Sequence, residues 1–173
     1  MFYVDTHVVL SYNFTTEETH LEAFNLINRI KNFSDEFYIS PLSVLELYCV
    51  ISRNITKYKM PPIAFVGLKT EEEKIEYILQ YTIQSLNLEI CLENNISKEL
   101  EGLKIKVFSE YHCAIKLSPK IKLSTLDTIH IAYASRLREE GKIRYVVSLD
   151  KDIRKKRRLI DAETGVKIIS KKI

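Results

Sequence analysis

Asp5, Glu46, Asp127 and Asp150 are the side chains of this sequence best suited to chemistry, and each is expected where a strand gives way to a helix. Tyr3-Val4-Asp5-Thr6 ends an apolar run, and Glu46 falls inside a helix that opens at Ser40-Pro41-Leu42-Ser43. Asp127 is read as opening a helix after Lys122-Leu123-Ser124-Thr125-Leu126, and Asp150 closes Tyr145-Val146-Val147-Ser148-Leu149. In an open parallel α/β sheet, junctions of this kind share the carboxyl edge of the strands. Four carboxylates gathered there would repel one another unless divalent cations neutralised them. A hard-metal site is therefore the leading expectation.

Each acid also has a simpler role open to it. Glu46 lies three residues after Ser43 and Asp127 three after Ser124, the spacing of a capping box or of a favourable charge in a first helical turn. Asp150 could cap or turn, and Asp5 could start a loop. None of these roles requires the four to face one edge, whereas the expected topology does.

The elements that would position them read as alternating strands and helices. Phe2-Tyr3-Val4, Phe37-Tyr38-Ile39-Ser40, Leu88 to Leu92, Tyr145 to Leu149 and Gly165 to Ile169 are the expected strands. Thr15-Thr16-Glu17-Glu18 and Thr70-Glu71-Glu72-Glu73 look like capping boxes, the first leading a helix with Leu21, Phe24, Leu26, Ile27 and Ile30 in step. Pro41 at a first helical position, with Ser40 or Ser43 as cap, starts another helix. Asn54 to Gly67 reads as a surface loop, Asn95 to Leu117 as a helix, and Ser124 as the cap of a helix stopped near Gly141. This alternation predicts a single α/β domain over residues 1–173, with a parallel sheet covered on both faces.

Bulk properties narrow the setting. A hydrophobic fraction of 46% and a charged fraction of 28% are those of an ordinary globular chain. Cys49, Cys91 and Cys113 are too few and too scattered for a disulfide framework or a paired zinc signature, which points to reduced thiols and the cytoplasm. No run approaches the roughly 20 apolar residues of a membrane span. The net charge of +3 is unevenly placed: from Arg136 onward there are 13 Lys and Arg against 6 Asp and Glu, and before it 13 against 17. Lys151, Arg154, Lys155, Lys156, Arg157 and Arg158 follow Asp150 directly. A basic segment beside an acidic site suits a polyanionic substrate, although a solvated surface helix would have the same composition.

The motifs together resemble a known family. Val4-Asp5-Thr6 and Ser40-Pro41-Leu42-Ser43-Val44-Leu45-Glu46-Leu47 are similar to the first two motifs of the PIN-domain nucleases. Leu123-Ser124-Thr125-Leu126-Asp127-Thr128-Ile129-His130-Ile131-Ala132-Tyr133-Ala134 resembles the third, and Val146-Val147-Ser148-Leu149-Asp150-Lys151-Asp152 the fourth. The resemblance covers nearly the whole chain in the correct order. It implies a Rossmann-like three-layer α/β/α fold with a central parallel sheet and Mg²⁺- or Mn²⁺-dependent cleavage of RNA. By the same resemblance, Asp5, Glu46, Asp127 and Asp150 are the catalytic, metal-binding acids and Asp152 an auxiliary metal ligand. Thr6 and Ser148 would support the carboxylates, and His130 would hold the site without binding metal. His7 departs from the usual small polar residue and is expected to pack nearby, and the stretch from about 54 to 122 is longer than in compact members.

Three functions remain in play. The first is a metal-dependent endoribonuclease, with VapC-type toxins as relatives, an antitoxin as a partner and a homodimer as the assembly. The second is an RNA-binding PIN-like module with weak or no catalysis, gripping RNA through Lys151, Arg154, Lys155, Arg157 and Arg158. The third, a phosphotransfer domain, lacks the Asp-x-Asp pair expected after the first strand.

Overall fold

Strand residues that alternate between two cores make the sheet, seen here in a computed structural model that describes residues 1–92, 96–100 and 104–170. In β1 (Phe2–Val4), Phe2 and Val4 enter one core and Tyr3 the other. β2 (Phe37–Ile39) repeats the pattern, with Phe37 and Ile39 on the first side and Tyr38 on the second. Both faces of such strands are covered, as β-branched and aromatic parallel strands require.

The central sheet has five strands in the order β3 (Leu88–Ile90), β2, β1, β6 (Tyr145–Val147) and β7 (Lys167–Ile169), every pair parallel. The first core packs under α1 (Thr6–Asn13), α2 (His20–Lys31), α3 (Pro41–Arg53) and α4 (Glu71–Ser85). Over the opposite face, α5 (Ser109–Ile121), α6 (Thr125–Glu139) and α8 (Arg157–Thr164) supply the second core. This is the three-layer α/β/α arrangement expected from the sequence. No helix among the described residues is long and apolar enough to cross a membrane.

Local signals account for several boundaries. The Ser40 side chain accepts from the Ser43 amide and Pro41 begins α3, so Ser40 rather than Ser43 is the cap. Thr70 and Glu73 form a complete capping box at α4. At α6, the Ser124 side chain accepts from the Asp127 amide.

Three expectations fail. The capping box at Thr15 does not form, and α2 begins at His20 with no side-chain cap; Leu21 and Phe24 are exposed while Ala23, Leu26, Ile27 and Ile30 fill the core. The predicted helix from Asn95 is instead an antiparallel hairpin of β4 (Ser97–Leu100) and β5 (Ile105–Phe108), and only from Ser109 does the chain turn helical. Asn95 and residues 101–103 of that prediction lie outside the described residues. No strand precedes Asp127, because α5 runs to Ile121 and Lys122, at φ 50°, makes a left-handed turn straight into α6. The loop expected after Asn54 is present and contains a short 3-10 turn, Pro62–Phe65.

Thr70→Ala removes the side-chain half of the α4 capping box. A loss of about 1 kcal/mol is expected, seen as a lower midpoint in urea unfolding at unchanged slope.

Candidate active site

Register brings the first site residues together. Val4 of β1 pairs with Val147 of β6, so the next residues, Asp5 and Ser148, emerge side by side at the carboxyl edge. There the Ser148 hydroxyl donates to Asp5 Oδ2 at 2.6 Å and accepts from the Asp150 amide at 3.1 Å. Asp5 also begins α1, which aims Thr6 across to α3. The Thr6 hydroxyl donates to Glu46 Oε2 at 2.7 Å.

Glu46 is therefore no capping partner of Ser43. Its Oε2 also takes His130 Nε2 at 2.8 Å, and His130 Nδ1 meets the Tyr3 hydroxyl at 2.7 Å. Tyr3 in turn donates to Ser40 Oγ at 3.0 Å. Both ring nitrogens of His130 are engaged, one of them by a carboxylate, an arrangement that favours the charged ring. Electrostatics agree. Burial works against charge on both partners, yet the hydrogen bond with Glu46 carries the His130 pKa above its usual value. The hydrogen bonds from His130 and Thr6 likewise hold the Glu46 carboxyl below its own. Burial raises the Tyr3 pKa and outweighs the opposing serine bonds, so the phenol stays protonated.

The other acids are balanced differently. Asp127 exchanges two bonds with Ser124, its amide donating to Oγ and its Oδ2 accepting from the hydroxyl at 2.7 Å. Those bonds do not offset its surroundings: burial first, then the charges of Asp150 and Asp5, raise the Asp127 pKa. Asp150 is the N-cap of α7 (Lys151–Lys155), its Oδ1 accepting from the amides of Asp152 and Ile153 at 2.6 and 3.0 Å. The capping role considered for it is real, and its charge is still felt at Asp127.

Asp5, Glu46 and Asp127 line one open groove of about 630 Å³. Asp152 does not; its side chain is 67% exposed and pairs with Lys155 at 3.0 Å. His7 sits on the rim, bonded through Nε2 to Thr19 Oγ1 at 3.0 Å rather than to any of the four acids. None of Lys151, Arg154, Lys155, Arg157 or Arg158 lines the groove; they lie on α7 and α8, all exposed except the half-buried Arg154. Tyr3 and Ser40 are the residues sequence reasoning left out. A tyrosine in the middle of a fully buried strand was the available signal, because its hydroxyl must find a partner.

The donors are of the kind a hard cation takes: carboxylate oxygens, half-buried, with a local excess of negative charge at Asp127. As they stand, no three His, Cys, Asp or Glu side chains among the described residues are close enough to hold an ion together.

The PIN domain family model matches residues 2–159. This chain belongs to the PIN-domain family. PIN domains are in general metal-dependent nucleases, and the match spans every acid named above. No curated protein matches the chain in sequence.

The His130–Glu46 pair has a pH signature. The Glu46 pKa lies below 4.5 in the fold, so its contribution is present above pH 4.5 and is lost on acidification. The His130 pKa lies above 6.5 in the fold, so its contribution is full below pH 6.5 and is lost as pH climbs through the folded value. Glu46→Gln should therefore cost most between those limits, about 1.5–3 kcal/mol, with the difference from wild type shrinking on either side. Thermal unfolding of metal-free protein across pH 4 to 9 checks this; a difference independent of pH would rule out the ion pair.

Proposed function

We propose that this PIN domain is a Mg²⁺- or Mn²⁺-dependent endoribonuclease, with Asp5, Glu46, Asp127 and Asp150 as its working acids. The observation that carries the reading is that Asp5, Glu46 and Asp127, from three separate segments, line one groove, and the charges of Asp5 and Asp150 act on Asp127, as suits a cation site. Asp5 is oriented by Ser148 and Glu46 by Thr6 and His130, so neither carboxylate is free to turn away from the groove. A divalent cation, when bound, supplies neutralising charge for a phosphodiester and acidifies a water. Asp5 and Asp127 would hold it, with Glu46 and Asp150 binding directly or holding its waters; Asp152, exposed and paired with Lys155, is not placed to serve as the auxiliary ligand. The groove walls would hold the RNA strand across them. Products should carry 5′-phosphate and 3′-hydroxyl ends, because the attacking group is water and not the ribose hydroxyl. A homodimer, the cytoplasm and a toxin role restrained by an antitoxin belong to the same reading, and an adjacent antitoxin gene would decide the last.

A second reading, an RNA-binding module with weak or no turnover, draws on two observations. No three donors are gathered as they stand among the described residues, and Glu46 is already committed to His130. Its RNA contacts would be those of Lys151, Arg154, Lys155, Arg157 and Arg158.

Labelled RNA with Mn²⁺, Mg²⁺ or EDTA separates the two. Cleavage should require the metal and vanish in Asp5→Asn and Asp127→Asn. Ser148→Ala should lose about 10- to 100-fold, the usual cost of a group that orients a ligand. Asp127→Asn should also raise the thermal midpoint of the metal-free protein, because it removes a carboxylate the fold strains to keep charged. Full activity in both aspartate variants, or a 2′,3′-cyclic phosphate end, would sink the nuclease reading.

A further inference from the structure

The groove continues well beyond its acids. Leu42, Leu45, Glu46, Cys49, Val50 and Arg53 recur at helical spacing on α3 and line it along one stripe. Seven residues separate Glu46 from Arg53, roughly 10 Å along the helix axis. The acidic end thus passes over an aliphatic middle to a basic end, where Arg53 and Lys57 both line the groove. Leu45 is 59% exposed and Leu126, on the same groove, 48% exposed.

The basic end is ordered. Arg53 Nε donates to the Cys49 carbonyl at 2.9 Å, fixing the plane of the guanidinium at the exit of α3, and Arg53 makes no ion pair among the described residues. Lys57 is held by Glu17 at 2.9 Å, and Glu17 also accepts from the Tyr58 hydroxyl at 2.9 Å. Burial opposes ionisation of Glu17, but Lys57 and Tyr58 hold its carboxyl below the ordinary range, so it competes for Lys57 as a charged group.

We propose that a single-stranded RNA lies along α3, with a phosphate on Arg53 and Lys57 and its sugars and unpaired bases against Leu42, Leu45, Val50 and Leu126. The polynucleotide class rests on the functional reading above; the path rests on the groove. A planar guanidinium with a second cation beside it matches a phosphate. Exposed aliphatic side chains can be covered by unpaired bases, whereas a duplex turns its bases inward and presents only backbone. The strand therefore enters from the Arg53 end, and the exposed cations of α7 and α8 are not its main contact. Glu17 acts as a brake, holding Lys57 until a phosphate displaces it.

The test is binding of a fluorescent single-stranded RNA oligonucleotide, read by anisotropy on an Asp127→Asn background so that cleavage cannot consume the probe. Adding Arg53→Glu should weaken affinity at least about 10-fold and flatten the salt dependence by about one unit of slope. Adding Glu17→Gln, which keeps an acceptor for Tyr58 but frees Lys57, should tighten binding about two- to fivefold, a gain that misfolding does not produce. A duplex of the same sequence should compete poorly. Unchanged affinity in both variants, or loss confined to charge reversal at Arg157 and Arg158, overturns the path and leaves the leucine wall to a protein partner. Failure of cleavage in the parent enzyme would strike the nuclease reading and not this one.

Discussion

A buried histidine bonded to a carboxylate ties the two helical layers of this fold together at the edge of the sheet. His130 comes from α6, Glu46 from α3, Thr6 from α1 and Tyr3 from the central strand, and three hydrogen bonds of 2.7 to 2.8 Å join them. Two layers that touch only through apolar packing could slide by fractions of an ångström. A charged pair whose carboxylate also takes a hydroxyl allows little such slack, because losing either partner strands a charge away from water. The acids on both layers inherit that fixed spacing.

The four acids differ in what the protein gives them. Glu46 has a histidine and a threonine hydroxyl, Asp5 a serine hydroxyl, and Asp150 two backbone amides. Asp127 has only Ser124, against burial and two neighbouring negative charges. The cost of ionisation therefore falls mainly on one carboxyl instead of spreading over the cluster. Such a concentrated cost destabilises the fold locally and is the usual mark of a group kept for chemistry.

Much of this was legible from residue order. Strands with period-two alternation, the Ser40-Pro41 and Thr70 starts, and the run from Ser124 announced their elements because each rests on short-range bonding. Helix α1 did not: its Thr-His-Val-Val start has poor intrinsic helical preference, and burial of Val8, Val9 and Leu10 overrides it. The β4–β5 hairpin was hidden because Leu100, Val107 and Tyr111 also fit a helical period, while the true signal, alternation of Ile105 with Val107, is short. The acids could be named from sequence, yet the Tyr3–His130–Glu46 connection could not, since its links join residues 127 and 84 positions apart. The pairing of Lys57 with Glu17 is of the same kind.

Helix α6 carries Asp127 and His130 near its start, and toward its end Arg136 is clamped by the fully buried Glu110, by Glu140 and by the Leu92 carbonyl. A rod fastened at both tips has no pivot. Any yielding of the groove falls to the facing wall, where the exposed Leu45 of α3 has room to change rotamer, so tolerance and exactness are divided between opposite banks of one channel.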